Sequence, residues 1–163
     1  MKKSRLGWAL ALLGVGGLAG AAGFGVLLSS WSELSRGTRE EAAAAAEGFL
    51  AGPAAGPAFL VISPEGQVSV RRDLEREVPT ALRTLAAWTC RTDGRIVRTD
   101  LPMWFVRVKT TDRLNLGTLT SLLARDWNDL DLSVTVEDLE RRGPGLVLDH
   151  TDADGARLLL WTE

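Results

Sequence analysis

One cysteine, one histidine and no tyrosine occur in the chain. A lone thiol, Cys90, excludes an internal disulfide framework and a zinc cluster built on cysteines. The lone histidine, His150, has Asp149 beside it, but adjacent residues of a strand point to opposite faces, so the pair makes no catalytic dyad by itself. The globular part holds neither G-x-x-x-x-G-K nor G-x-G-x-x-G, the glycine loops that cradle phosphates. No cysteine stands directly after the N-terminal apolar run, which argues against a lipoprotein anchor.

What is present describes a folded protein on a membrane. Hydrophobic residues make up 45% and charged residues 25% of 163 positions, globular values with room for one ordinary domain and an appendage. The richness in Ala, Gly, Leu and Arg is that of a bacterial genome of high GC content. Residues Leu6 to Ser32 carry no charge, and the apolar run Leu6 to Leu28 exceeds the roughly 20 helical residues that a bilayer core of about 30 Å requires. Trp8 and Trp31 stand near its ends, where aromatic rings favour the interface. These features predict a cytoplasmic tail over 1–5 and a transmembrane helix over 6–31. Lys2, Lys3 and Arg5 precede the span and place the N-terminus in the cytoplasm, so the rest of the chain lies outside it, on a single-pass protein of the cytoplasmic membrane. Ala19-Gly20-Ala21 resembles a signal-peptidase site, yet the apolar run continues through "GFGVLL", which favours retention.

Small residues line this span. Gly16 and Gly20 form a G-x-x-x-G pair, and Gly17, Ala21 and Gly25 make a second line at the same spacing. Without a hydrophobic drive between helices in lipid, close backbone packing over small residues is a main source of association. The stripe predicts contact with other integral membrane subunits.

Residues 32–57 read as a stalk helix and a linker. Thr38 and Glu41 form a capping box, the alanines that follow are strong helix formers, and Gly52-Pro53 ends the helix before "AGPAAGPA". Residues 58–163 read as a small α+β domain with a largely antiparallel sheet and two to three helices. "AFLVI" and "VSVRR" flank "SPEGQ" as a hairpin. Leu82, Leu85, Ala86 and Thr89 fall at helical spacing after Pro79, and Leu116, Leu119, Thr120, Leu123 and Trp127 do so again. "RIVR", "MWFVRVKT" and "LSVTV" read as strands, and "EDLERRGPG" as a short helix closed by Gly143.

Three stretches invite chemistry. "HTDADG" superficially matches a calcium loop, but with Gly155 at the sixth position, His150 and Trp161 fall where oxygen ligands belong. A turn between "LVLD" and "ARLLLW" asks only for Asp and Gly. Asp126, Asp129 and Asp131 sit where a helix must turn into a strand, and read as solvated turn residues. Residues 71–113 carry a surplus of cations, and Arg71, Arg72, Arg76, Arg95, Arg98, Arg107 and Lys109 are candidates for a basic interaction face. Outside the cytoplasm such a face meets lipid headgroups or acidic protein rather than nucleic acid. No metal, cofactor or catalytic constellation is indicated. The expectation is a non-catalytic accessory or scaffold subunit of a bacterial membrane complex; the alternative is an anchored extracytoplasmic ligand-binding or sensing domain.

Overall fold

The computed structural model describes residues 31–109, 114–115 and 133–163. The chain divides into an N-terminal unit, Met1–Glu33, and a larger one, Leu34–Glu163. The expected transmembrane helix with its stripe of Gly16, Gly17, Gly20, Ala21 and Gly25 lies outside the described residues, Trp31 apart. So do Asp126, Asp129, Asp131 and the helix expected from Leu116 to Trp127. Among the described residues, no helix is long and apolar enough to cross a membrane.

The described part is α+β, with a mostly antiparallel sheet and three helices. In chain order the elements are β1 (Ser32–Arg36), α1 (Arg39–Ala51), β2 (Leu60–Ile62), β3 (Val68–Val70), a 3-10 turn (Arg72–Leu74), β4 (Thr84–Cys90), β5 (Arg95–Pro102), α2 (Met103–Lys109), β6 (Leu114–Asn115), β7 (Ser133–Val134), α3 (Val136–Arg142), β8 (Gly145–Thr151) and β9 (Arg157–Thr162). Five strands form one sheet in the order β1-β5-β4-β9-β8. The last strand of the chain therefore lies in the sheet interior, antiparallel to β4, with Trp88 opposite Leu159 and Cys90 opposite Arg157.

Alternation along these strands assigns two faces. Ala86, Trp88 and Cys90 of β4 share one face with Leu159 and Trp161 of β9, and α1 packs on it through Ala42 and Ala46. Phe49 stacks on Trp161 with ring centroids 4.9 Å apart and tilts against Trp88 at 6.2 Å. The alanines let the helix backbone come close, and the two tryptophans fill the space that small side chains leave. Such interdigitation of large and small residues is how cores reach close packing. Thr38 caps α1 as expected: its Oγ1 accepts from Glu41 N at 3.2 Å while Glu41 Oε2 accepts from Thr38 N at 2.7 Å.

The structure corrects the organisation inferred for 32–57. Residues 32–36 are a strand beside β5, and α1 is part of the core rather than a stalk held away from it. Alanine misled because it signals helix strongly and burial weakly. Two further elements change type. The helical spacing after Pro79 belongs to strand β4, where every residue from Leu85 to Thr89 is buried. A strand covered on both faces loses the two-residue alternation that would have identified it. Conversely "MWFVRVK" alternates like a strand yet forms α2, burying Met103, Phe105 and Val106. Of "LSVTV", Ser133 and Val134 form β7, and Thr135 then caps α3 and turns the chain into it. The hairpin β2–β3, the helix closed by Gly143, and the hairpin β8–β9 stand where the sequence put them.

Candidate functional site

Two tight turns and the start of α1 enclose a pocket. The β4–β5 turn closes with Gly94 N donating to Arg91 O at 3.1 Å, and Asp93 Oδ1 accepting from Arg95 N at 3.0 Å. Gly94 has φ +76°, and a Cβ there would lie 2.9 Å from Gly37 O, so only glycine fits where this turn meets the entry to α1. The β8–β9 turn uses the same chemistry. Asp152 Oδ1 accepts from Ala156 N at 2.8 Å, and Gly155 takes φ +86°. The "DADG" stretch is thus a hairpin turn, and Asp152 is engaged with its own backbone. Among the described residues, no group of three His, Cys, Asp or Glu is placed to hold a metal ion.

Between these turns and α1 lies a cavity of about 250 Å³. Ala42, Ala43, Trp88 and Cys90 supply apolar wall, and Arg39, Arg91 and Arg157 supply its cations. The strand period explains the grouping: Trp88, Cys90 and Arg157 all project from the α1 face of the sheet. Arg157 is held in place, its Nε and Nη2 donating to Asp149 Oδ1 and Oδ2 at 2.9 and 2.7 Å. That bond raises the Arg157 pKa further and fixes its charge. Arg91 lies 3.8 Å from Asp93. Arg39, the first residue of α1, is exposed, has no carboxylate partner among the described residues, and reaches toward the β8–β9 turn; a Cβ on Gly155 would sit 3.9 Å from its Nη2. Burial pushes the Cys90 thiol above its ordinary value; Arg39 opposes that and Asp93 adds to it, with a net rise. The group is a protonated thiol at neutral pH, packed against the α1 cluster, and not a poised nucleophile.

The residues nominated from sequence do not gather at this pocket. Arg71 pairs with Asp73 at 3.3 Å. Arg72 pairs with Glu75 and Asp138, and Arg107 with Glu140, so both brace α3. Arg98 pairs with Asp100 at 3.2 Å and lies over the rings of Phe49 and Trp161, 5.4 and 5.7 Å from their centroids. Arg95 is exposed at the start of β5, and alternation puts it on the face opposite Arg98. Lys109 ends α2. These cations are dispersed, and four of them are matched by carboxylates. His150 and Asp149 occupy opposite faces of β8, as alternation requires.

The pocket cations that sequence reading passed over, Arg39, Arg91 and Arg157, come from three separate segments. The only local signal was the repeated Asp-Gly turn chemistry at 93–94 and 154–155, which marks two hairpin ends but not that they are neighbours. No family model matches the chain, and no curated protein or solved structure matches it either.

Proposed function

We propose that this chain is a non-catalytic binding protein, anchored by its N-terminal apolar run with the N-terminus in the cytoplasm, whose extracytoplasmic domain holds a small ligand. One observation carries the reading: an apolar-walled cavity rimmed by arginines. Pockets that bind small molecules are concave and mostly apolar, with a few polar groups that fix orientation. Rigid hairpin turns and a capped helix form this one, and pre-formed walls lower the ordering penalty of binding.

A second reading, an accessory subunit of a membrane complex, is favoured by two features. One is the line of Gly16 and Gly20 in the expected span. The other is α2, where Trp104 and Val108, one turn apart, are 58% and 75% exposed. Purification in mild detergent separates the two. A monomer, unaffected by Gly16→Leu/Gly20→Leu, supports the binding reading. Stoichiometric co-purification with other membrane proteins, lost in that double variant but kept in a Val15→Leu/Leu18→Val control, transfers the role to the subunit.

A further inference from the structure

We propose that the pocket receives a monovalent carboxylate carried on a short apolar body, with the Arg39 guanidinium as its anion receptor. This rests on the binding reading above and names the ligand class.

The charge balance is the first support. Of the three guanidinium groups at the pocket, Arg157 is matched by a two-point bond to Asp149, and Arg91 stands 3.8 Å from Asp93. Arg39 has no carboxylate partner among the described residues. One unmatched cation suits one negative charge, and a phosphate dianion would enter with a charge in excess. A planar guanidinium presents paired N–H donors at the spacing of carboxylate oxygens, so the match is geometric as well as electrostatic. The α1 N-terminus adds little: its capping box already engages the amides of Thr38 and Glu41.

The walls supply the second support. Ala42, Ala43 and Trp88 line the same cavity as the arginine and give it apolar wall. Burying apolar ligand surface there contributes roughly 25 cal/mol per Å², which a bare inorganic anion cannot gain. Size sets the third limit. About 250 Å³ falls just below the roughly 300–1,000 Å³ of pockets for drug-sized ligands, so the occupant is small: a free acid, or the carboxyl end of a peptide with its last side chain.

The test uses the full chain in neutral-detergent micelles and titration calorimetry with 3-phenylpropanoate, its neutral amide and inorganic phosphate. An acetylated tripeptide ending in phenylalanine, as free carboxylate and as amide, forms the second arm. The acid binds at least tenfold more tightly than its amide, and phosphate gives no binding heat. Arg39→Gln brings the acid down to the affinity of the amide, and Arg39→Lys restores part of the difference. Ala43 is an exposed pocket residue, so Ala43→Leu fills the cavity while leaving the core intact, and it abolishes binding of the acid. Tight binding of the free-carboxylate peptide identifies a chain end as the natural source; binding of the small acid alone identifies a free metabolite. Equal affinity for acid and amide, both blocked by Ala43→Leu, overturns the carboxylate assignment and leaves the binding reading standing. Binding insensitive to both variants, or no binding of any probe, overturns both.

Discussion

Helices α1 and α3 begin with the same device and are fastened by different forces. Each opens on a threonine whose hydroxyl accepts an N3 amide while an N3 carboxylate returns to the cap, Thr38 with Glu41 and Thr135 with Asp138. After that they diverge. Thirteen residues long, α1 is held by apolar contact: Ala42, Ala46 and Phe49 against Trp88 and Trp161. Only seven residues long, α3 has one fully buried apolar anchor, Leu139, and is otherwise tied by polar links. Arg72 reaches Asp138, Arg107 reaches Glu140, and buried Arg142 donates to Pro57 O at 3.2 Å. A cap decides where a helix starts; it does not decide what the helix rests on. Area buried against the sheet makes α1 a wall strong enough to shape a pocket, while α3 depends on charge.

The comparison is broken most directly at Phe49. It is half-buried and touches both tryptophans. Phe49→Ala is expected to destabilise the domain by about 2–3 kcal/mol, below the roughly 3–5 kcal/mol of fully buried phenylalanines because part of the ring is in water. Thermal melting of the full chain in detergent, followed by near-ultraviolet circular dichroism, checks this. A loss under about 1 kcal/mol, the scale of surface ion pairs, would mean that apolar contact does not secure α1.

The shared cap gives the next test. Thr38→Ala and Thr135→Ala each remove one amide acceptor at a helix start, for about 1 kcal/mol. The Thr135 change is expected to be the larger of the two, because Asp138 also carries the ion pair to Arg72 and relies on the cap for its position. The same melts, run side by side, rank them. A larger loss at Thr38 would invert the contrast drawn between the two fastenings.

The smallest effect is electrostatic and appears in acid. Burial raises the Asp138 carboxyl, but hydrogen bonds from Arg72 and Thr135 outweigh it and hold the pKa below its ordinary 3.8. A depressed folded-state pKa stabilises fully above the unfolded value and is lost as pH falls through the folded one. The contribution is therefore intact at pH 7 and disappears below 3.8. Because Arg72 is largely exposed, Arg72→Gln is expected to remove only a fraction of a kcal/mol at neutral pH. It also flattens the pH dependence of the melting temperature below 3.8. An acid profile identical to the unaltered protein would remove Arg72 from the account of α3.

Part of this was legible in the sequence. Thr38 with Glu41, Gly143 after "EDLERR", and "DADG" between apolar runs each specify their structure locally, within one turn of chain. Reading failed where tertiary burial sets the pattern. Strand β4 is covered on both faces and presents continuous apolar sequence that a helix shares. In α2, Trp104, Val106 and Val108 alternate as in a strand, yet Val106 is buried with Met103 and Phe105 while Trp104 and Val108 are exposed. The cations expected to form a basic face are dispersed for a related reason. Sequence counts cations, but only the fold sets Arg72 beside Asp138 and Arg107 beside Glu140, which turns a surplus into matched pairs.

The sequence alone determined the ends of elements, because caps and turns are satisfied by residues three or four positions away and their hydrogen bonds cannot wait for the rest of the chain. The uncharged run from Leu6 to Ser32 is likewise written in the sequence alone, and the proposed anchor rests on it. Tertiary structure decided the rest. It placed the final strand in the sheet interior beside β4, and so brought the β8–β9 turn next to the β4–β5 turn. It laid an alanine helix on two tryptophans and left Arg39 facing both turns. A pocket made by three segments far apart in sequence has no local signature, since the contacts that define it exist only after long-range strand pairing has closed the sheet.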